Sequence, residues 1–364
     1  MPGVYISIPF CAQKCTYCNF ASGVFPRDLL AGYIEALEAE IAAERWTQPP
    51  DTLYLGGGTP SLLEPDTVRR ILKGLPSTVW REATLEASPG SVTPERARRW
   101  REMGLDRVSL GVQSLVPFEI AATGRRHTPE QVATEVAFLR RAGLANINID
   151  LIAGLAHQTR SSWQESLDWI ERLGVPHVSV YMLEVDEDSR LGREIIQGGS
   201  RYGAGAVPDE DTIAEMYSEA VERLEGLGLR RYEISNFARS GFESVHNLKY
   251  WRLEPYRGFG ADAHSFDGRR RWRNVETAAE YVERFRAGAL PVLADEPADP
   301  PHERFFVGLR QTGGIEPTEQ EWVSFAEPIG RLATDGLVER IGAKLRLTSR
   351  GVLLSNLVFQ EFLP

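Results

Sequence analysis

Cysteine is scarce in this 364-residue chain: Cys11, Cys15 and Cys18 are the only three. An odd set of thiols packed into eight residues cannot build a disulfide framework. No apolar run approaches the roughly 20 residues of a membrane span. The N-terminus also lacks the charged, apolar and small-residue succession of a signal peptide. A cytoplasmic protein with reduced thiols is therefore expected, with peripheral contact at a membrane face left open. Positive charge is in deficit, 41 Lys and Arg against 51 Asp and Glu, for a net charge of -10. That balance opposes a main role in gripping nucleic acid, which needs a surplus of cations facing phosphate. The densest basic run, Arg269-Arg270-Arg271-Trp272-Arg273, reads as a solvated loop. There is no internal repeat and no low-complexity segment. What is present is ordinary globular material, 42% apolar and 25% charged, enough to bury a substantial core.

The first half alternates two patterns. Residues 4–10, 52–58, 83–88, 107–114, 146–152 and 177–185 are short runs rich in Val, Ile, Leu and Tyr, bounded by Gly, Pro or Ser, and read as strands. Between them, 28–46, 64–75, 94–103, 129–143 and 160–173 are amphipathic and read as helices; several open on capping residues or first-turn prolines. Strand–helix–strand repetition predicts parallel pairing with right-handed crossovers. Six such units suit a partial (β/α)6 TIM-like barrel, with a doubly wound open sheet as the alternative. In both, functional groups gather at the carboxyl ends of the strands. Residues 186–208 read as a long irregular loop, 209–227 as a helix, and 232–275 as short strands with aromatic loops. Four prolines between Pro291 and Pro301 suggest a linker. Beyond it, helices near 302–311 and 317–335, two short strands around Gly342-Ala343-Lys344 and a helix over 349–362 predict a winged-helix-like module. The expected α/β organisation is a barrel over 1–208, an extension with an α+β character over 209–290, and the small module over 291–364.

The thiols follow the first strand in C-x3-C-x2-C spacing, among polar Gln13, Lys14, Thr16 and Asn19. Such a loop wraps three thiolates around one side of a metal site. A structural zinc would call for a fourth Cys or His, and no His lies within a hundred residues. Thiolates are preferred ligands of iron–sulfur clusters, and three on a four-iron cubane leave one iron open to a ligand. Exposed thiols without a metal would be an oxidation liability.

This motif, placed behind the first strand of an incomplete barrel, resembles that of the radical S-adenosylmethionine (SAM) family. The resemblance implies a [4Fe–4S] cluster on Cys11, Cys15 and Cys18 whose open iron chelates the methionine moiety of SAM, and whose reduction cleaves the sulfonium. Further segments are similar to the coproporphyrinogen III oxidase-like branch. Gly57, Gly58 and Thr59 lie in "LGGGTPSLL" after the second strand, where bare N–H groups can meet a carboxylate. Glu86, Gln113 and Asp150 sit on or at the ends of later strands, with Arg125 in "TGRRHT". With Tyr5 and Tyr17 they look like the cofactor-contacting set of that branch. Residues 230–266, 309–316 and the "LTSRG" segment extend the likeness over essentially the whole chain.

Within the branch, two activities compete: oxygen-independent coproporphyrinogen III oxidase, a radical decarboxylase, and haem chaperones of the HemW type. The oxidase motif carries a further cysteine where this chain has Phe20, and an extension where only ten residues precede Cys11. "HNLKYW" matches a pattern linked with haem binding in the chaperones, and makes His246, Tyr250 and Trp251 the candidate haem contacts. His264 is a second candidate, whereas His127, His157 and His177 read as structural. The implied partners are haem as cargo and haem-acceptor proteins, with the chain a monomer or a dimer.

Overall fold

The computed structural model describes residues 1–77 and 79–363. Six strands pair in chain order, each parallel to the next: β1 (Gly3–Ile8), β2 (Thr52–Gly57), β3 (Glu82–Ala87), β4 (Arg107–Gln113), β5 (Asn146–Ala153) and β6 (His177–Met182). The connecting helices are α1 (Arg27–Ala43), α2 (Pro65–Lys73), α3 (Pro94–Glu102), α4 (Pro117–Ala122), α5 (Pro129–Arg141) and α6 (Arg160–Leu173). Local chemistry starts them where expected. Proline occupies the first turn of α2, α3 and α5. The Thr93, Thr128 and Thr159 hydroxyls accept from the backbone N–H three residues on. Period-2 alternation then sorts the strands. Val4, Ile6, Leu53, Leu85, Val108 and Ile149 are fully buried in one core with the helices. The residues between them, from Tyr5 to Ser179, face the inside of the barrel.

The sheet continues beyond both ends of this unit. After α7 (Arg190–Ile196) and α8 (Glu210–Gly226), β7 (Arg230–Arg231) pairs with β8 (Asn236–Ala238), which runs antiparallel to β6. After α9 (Val245–Trp251), β9 (Tyr256–Phe259) lies parallel to β1 and carries β10 (His264–Phe266), β11 (Arg270–Asn274) and, past α10 (Ala278–Arg286), β12 (Val292–Pro297). Twelve strands form one sheet whose outer strands are β7 and β12, a partial barrel rather than a doubly wound sheet. The chain ends with α11 (Pro300–Gly308), α12 (Glu319–Ser324), α13 (Ala326–Thr334), the hairpin β13 (Val338–Ile341) and β14 (Lys344–Leu347), α14 (Ser349–Leu353) and α15 (Ser355–Gln360). Helices followed by a hairpin match the winged-helix-like expectation.

Four expectations are corrected. The irregular stretch at 186–208 contains α7, capped by the Ser189 hydroxyl, and a 3-10 turn over Arg201–Ala206. Its glycine content misleads, because Gly192 sits inside the helix, where a side chain would collide with the Asp186 backbone. The proline-rich "linker" is an edge strand, β12, and a sheet edge tolerates proline. Residues 245–251 are helical rather than an aromatic loop, with Ser244 as cap. The basic run at 269–273 lies largely in β11, not in a solvated loop: Arg270 pairs with Asp295 and Arg271 with Glu303.

Buried charge ties α9 to the barrel. Glu82, at the start of β3, accepts from the Ser244 hydroxyl (3.0 Å) and from the backbone N–H groups of Val245 (2.8 Å) and His246 (3.0 Å). An anionic side chain at a helix N-terminus is the favourable polarity. Arg107, 1% exposed, supplies the compensating charge. Replacing Glu82 with Ala strands three donors and a buried cation. It is expected to cost about 3–5 kcal/mol of unfolding free energy, read from the urea midpoint.

Candidate functional site

Backbone register builds the site. Ile8 pairs with Gly57 at the ends of β1 and β2. Beyond them the ladder continues, with Gly58 N–H donating to Ile8 O (2.9 Å) and Thr59 N–H to Phe10 O (2.9 Å). Gly57 holds φ +104°, and a Cβ on Gly58 would stand 2.8 Å from the Phe10 backbone. Only glycine allows this approach, which sets the cysteine loop against the turn after β2. The loop base is closed by Cys11 N–H to Gly23 O (2.8 Å) and Gly23 N–H to Pro9 O (3.0 Å). Its outer side is latched by α7 and the residues before it. Leu191 N–H donates to Thr16 O (2.8 Å), Arg190 donates to Lys14 O, and Asn19 donates to the Asp186 carboxylate (2.8 Å).

The three thiols are free and border one cavity of 1320 Å³ at the carboxyl ends of the strands. They flank this cavity without converging: among the described residues no three Cys, His, Asp or Glu side chains close on a single ion. Burial pushes the Cys11 thiol up, partly offset by hydrogen bonds from Ser22 and Thr59. Tyr17, Gly57, Gly58, Thr59, Glu86, Gln113, Arg125 and Asp150 line the same cavity. Arg125 donates to Gly111 O and the Ser88 hydroxyl, while its Nε is buried without a partner. An unspent cationic donor beside three thiols suits an anionic cluster or a ligand carboxylate.

Two carboxylates sit deeper. Glu86 accepts from the Tyr54 hydroxyl (2.8 Å) and from Gly57 N–H (3.1 Å). Burial pushes it up to about 7, against the pull of those two donors. Asp150 accepts from Asn148 (2.7 Å) and is likewise raised by burial. Gln113 follows a bulge in β4 and adopts φ 74°, a strained value for a residue with a side chain. The cavity wall is thus a fixed array of acceptors and donors on rigid strands, able to hold a ligand with amino, carboxylate and hydroxyl groups.

Comparison with known proteins agrees with this geometry. Residues 5–170 match the model of the radical SAM superfamily. The heme chaperone HemW of Bacillus subtilis is 34% identical, covering 100% of this chain and 99% of that protein. That of Mycobacterium tuberculosis is 35% identical, covering 99% and 94%. The chain belongs to the HemW family of radical SAM proteins. Its fold is that of coproporphyrinogen III oxidase (HemN) from Escherichia coli, with TM-score 0.84 at 23% identity over 99% of this chain and 90% of that one. Membership of the radical SAM superfamily implies a [4Fe–4S] cluster and SAM, and the thiols, the glycine approach and the orphaned Arg125 nitrogen fit both groups.

Against this HemW-family frame, some expected contacts fall elsewhere. Tyr5 does not line the cavity; it lies behind Gly56, stacked on Tyr54 with centroids 6.1 Å apart. His246 is fully buried at the amino ends of β1 and β2, away from the thiols. Its Nδ1 bonds Thr52 (2.9 Å) and its Nε2 the Tyr250 hydroxyl (2.8 Å), so neither nitrogen is free for iron in this structure. Tyr250 packs edge-on to Tyr256, and Arg310 lies over Trp251. The proposed haem face of His246, Tyr250 and Trp251 is therefore occupied by the protein's own side chains. His264 is exposed on β10. His177 bridges Asn148 and Tyr232, as a structural residue would. His157 packs against Phe118, but His127 lines the cavity with Nε2 unpaired, and burial holds it down at about 4.

Sequence reasoning missed Tyr54, Asn148 and the contribution of the C-terminal module, whose Arg350, Leu353 and Leu357 border the cavity. Period-2 alternation would have found the first two: each lies two residues before a predicted or glycine position on the inner face of its strand.

Gly58→Ala is expected to displace the cysteine loop and lower iron and sulfide content several-fold after anaerobic reconstitution, with far-UV circular dichroism unchanged. His246 is held neutral, at about 3, by burial. The unfolded chain, with an ordinary imidazole, gains a proton as pH falls below about 6.5 while the folded chain does not. His246 therefore subtracts stability progressively from about pH 6.5 toward 3. The denaturant midpoint of His246→Gln, relative to that of the parent, should improve as pH is lowered through that range.

Proposed function

We propose that this chain is a haem chaperone that carries a [4Fe–4S] cluster and SAM, binds haem as cargo and passes it to acceptor proteins. Cys11, Cys15 and Cys18 hold the cluster, and Thr59, Gln113, Arg125, Glu86 and Asp150 bind and orient SAM beside it. A cluster held there would supply one-electron reducing chemistry toward the SAM sulfonium. The protein's own part is to place donors and acceptors on rigid strand ends beside the thiols.

The observation that carries this reading is the likeness to the Bacillus subtilis heme chaperone over the full length of both chains. Two features of the cavity support it. At 1320 Å³ it exceeds the ~300–1,000 Å³ of a site for one small ligand, leaving room beyond SAM. Leu183, Ile213, Leu353 and Leu357 border it beside Arg310 and Arg350, with the acidic Glu184, Glu210 and Asp211 also in its lining; the apolar and cationic groups suit a flat macrocycle with carboxylates. The proposed place of action is the cytoplasm; no helix among the described residues is long and apolar enough to cross a membrane.

Anaerobically reconstituted protein should bind haemin saturably, near one per chain, with a new Soret band, and should restore a haem-depleted acceptor enzyme. Supplied with coproporphyrinogen III, SAM and dithionite, it should release no carbon dioxide above background. Steady release would replace this proposal with radical decarboxylation.

A further inference from the structure

A chain of contacts runs from the HNLKYW helix to the cavity. At its lower end the imidazole of His246 is fixed on both nitrogens, by Thr52 and by Tyr250. One ring face lies against the ring of Tyr54, with centroids 5.4 Å apart and planes inclined by 31°. Tyr5 covers Tyr54 as a second neighbour on the adjacent strand. Held between them, Tyr54 has its ring direction set, and its hydroxyl donates to Glu86 at 2.8 Å. Glu86 in turn accepts from the glycine turn, through Gly57 N–H. The helix is itself pinned to the neighbouring strand by Glu82.

From this we infer that His246 and Tyr54 are positioning residues for SAM: His246 orients the Tyr54 ring, and the Tyr54 hydroxyl orients the Glu86 carboxylate toward the cavity. The inference rests on the proposal that Glu86 contacts SAM. It gives the HNLKYW segment a role in the cofactor site that requires no iron ligation by its histidine.

The physical logic is pre-organisation. A buried carboxylate with one donor removed loses both a fixed orientation and part of the stabilisation of its charge. SAM is cationic at sulfur, so an ionised Glu86 favours it and a protonated one does not. The groups facing Glu86 are Tyr54 and Tyr5, Tyr181 and Tyr250, Asp150 and Arg107. Of these, Asp150 opposes ionisation, while Tyr54 and Arg107 favour it. Removing the Tyr54 hydroxyl therefore moves ionisation of Glu86 to higher pH.

The test is SAM binding to the cluster-loaded protein, followed by the change in the electron paramagnetic resonance spectrum of the reduced cluster between pH 5.5 and 8.5. Tyr54→Phe keeps the ring and loses the hydroxyl. It should shift the midpoint of the pH profile upward by about one pH unit, roughly fivefold in affinity at the parent's midpoint and approaching tenfold below it, with iron content unchanged. His246→Phe, which keeps a ring against Tyr54, should shift it less than His246→Ala. Glu86→Gln should weaken binding and flatten the profile. If Glu86→Gln binds SAM as the parent does, the assignment of Glu86 fails and the inference with it. If Glu86→Gln weakens binding but Tyr54→Phe and His246→Ala reproduce the parent's profile, the inference alone is overturned.

Discussion

The register between β1 and β2 governs the rest. Pairing Ile8 with Gly57 lets two more hydrogen bonds form past the strand ends, from Gly58 and from Thr59. Those bonds bring two backbones so near that a single added carbon is excluded at Gly58. A slip by one residue would turn the inner and outer faces of β1 over and move the thiols off the cavity. The cysteine loop is thus placed by main chain, and the side chains around it can be spent on ligands.

Inside the barrel the chain trades apolar packing for polar order. Helix-facing positions are aliphatic, but the inner face carries Glu82, Arg107, Asn148, Asp150, His177 and Glu86. Each costs desolvation, offset where hydrogen bonds and opposite charge satisfy it. The lower lumen meets this condition in part: Glu82 serves three donors and His177 is bonded at both nitrogens, while Arg107 is balanced by the charge of Glu82 with its Nε and one Nη lacking hydrogen-bond partners. Toward the mouth Arg125 Nε and His127 Nε2 are also without partners. At the mouth these two nitrogens border the cavity, where a ligand can reach them.

Much of this was legible before any coordinates. Short runs rich in Val, Ile, Leu and Tyr, bounded by Gly, Pro or Ser, located the six parallel strands to within a few residues, because strands buried on both faces are dense in such residues. Of the cofactor set, all but Tyr5 meet in one cavity, because strand ends of a parallel barrel share one face. What was hidden is tertiary. Gly192 looked like a loop residue and proves to be a contact point inside α7. Pro291 and Pro297 looked like a linker because edge pairing cannot be seen from one segment alone. His246 reads as a haem contact from its aromatic neighbourhood alone; that both its nitrogens are engaged in this structure, by Thr52 and Tyr250, is visible only in the packing.

The placement of β9 beside β1 bears on biosynthesis. The cysteine strand leaves the ribosome well before its second neighbour, Tyr256–Phe259, which emerges some 250 residues later. At ordinary elongation rates that is a delay of roughly 12–50 seconds, during which one edge of the strand is unpaired. The three thiols are thus translated long before the sheet around them is complete.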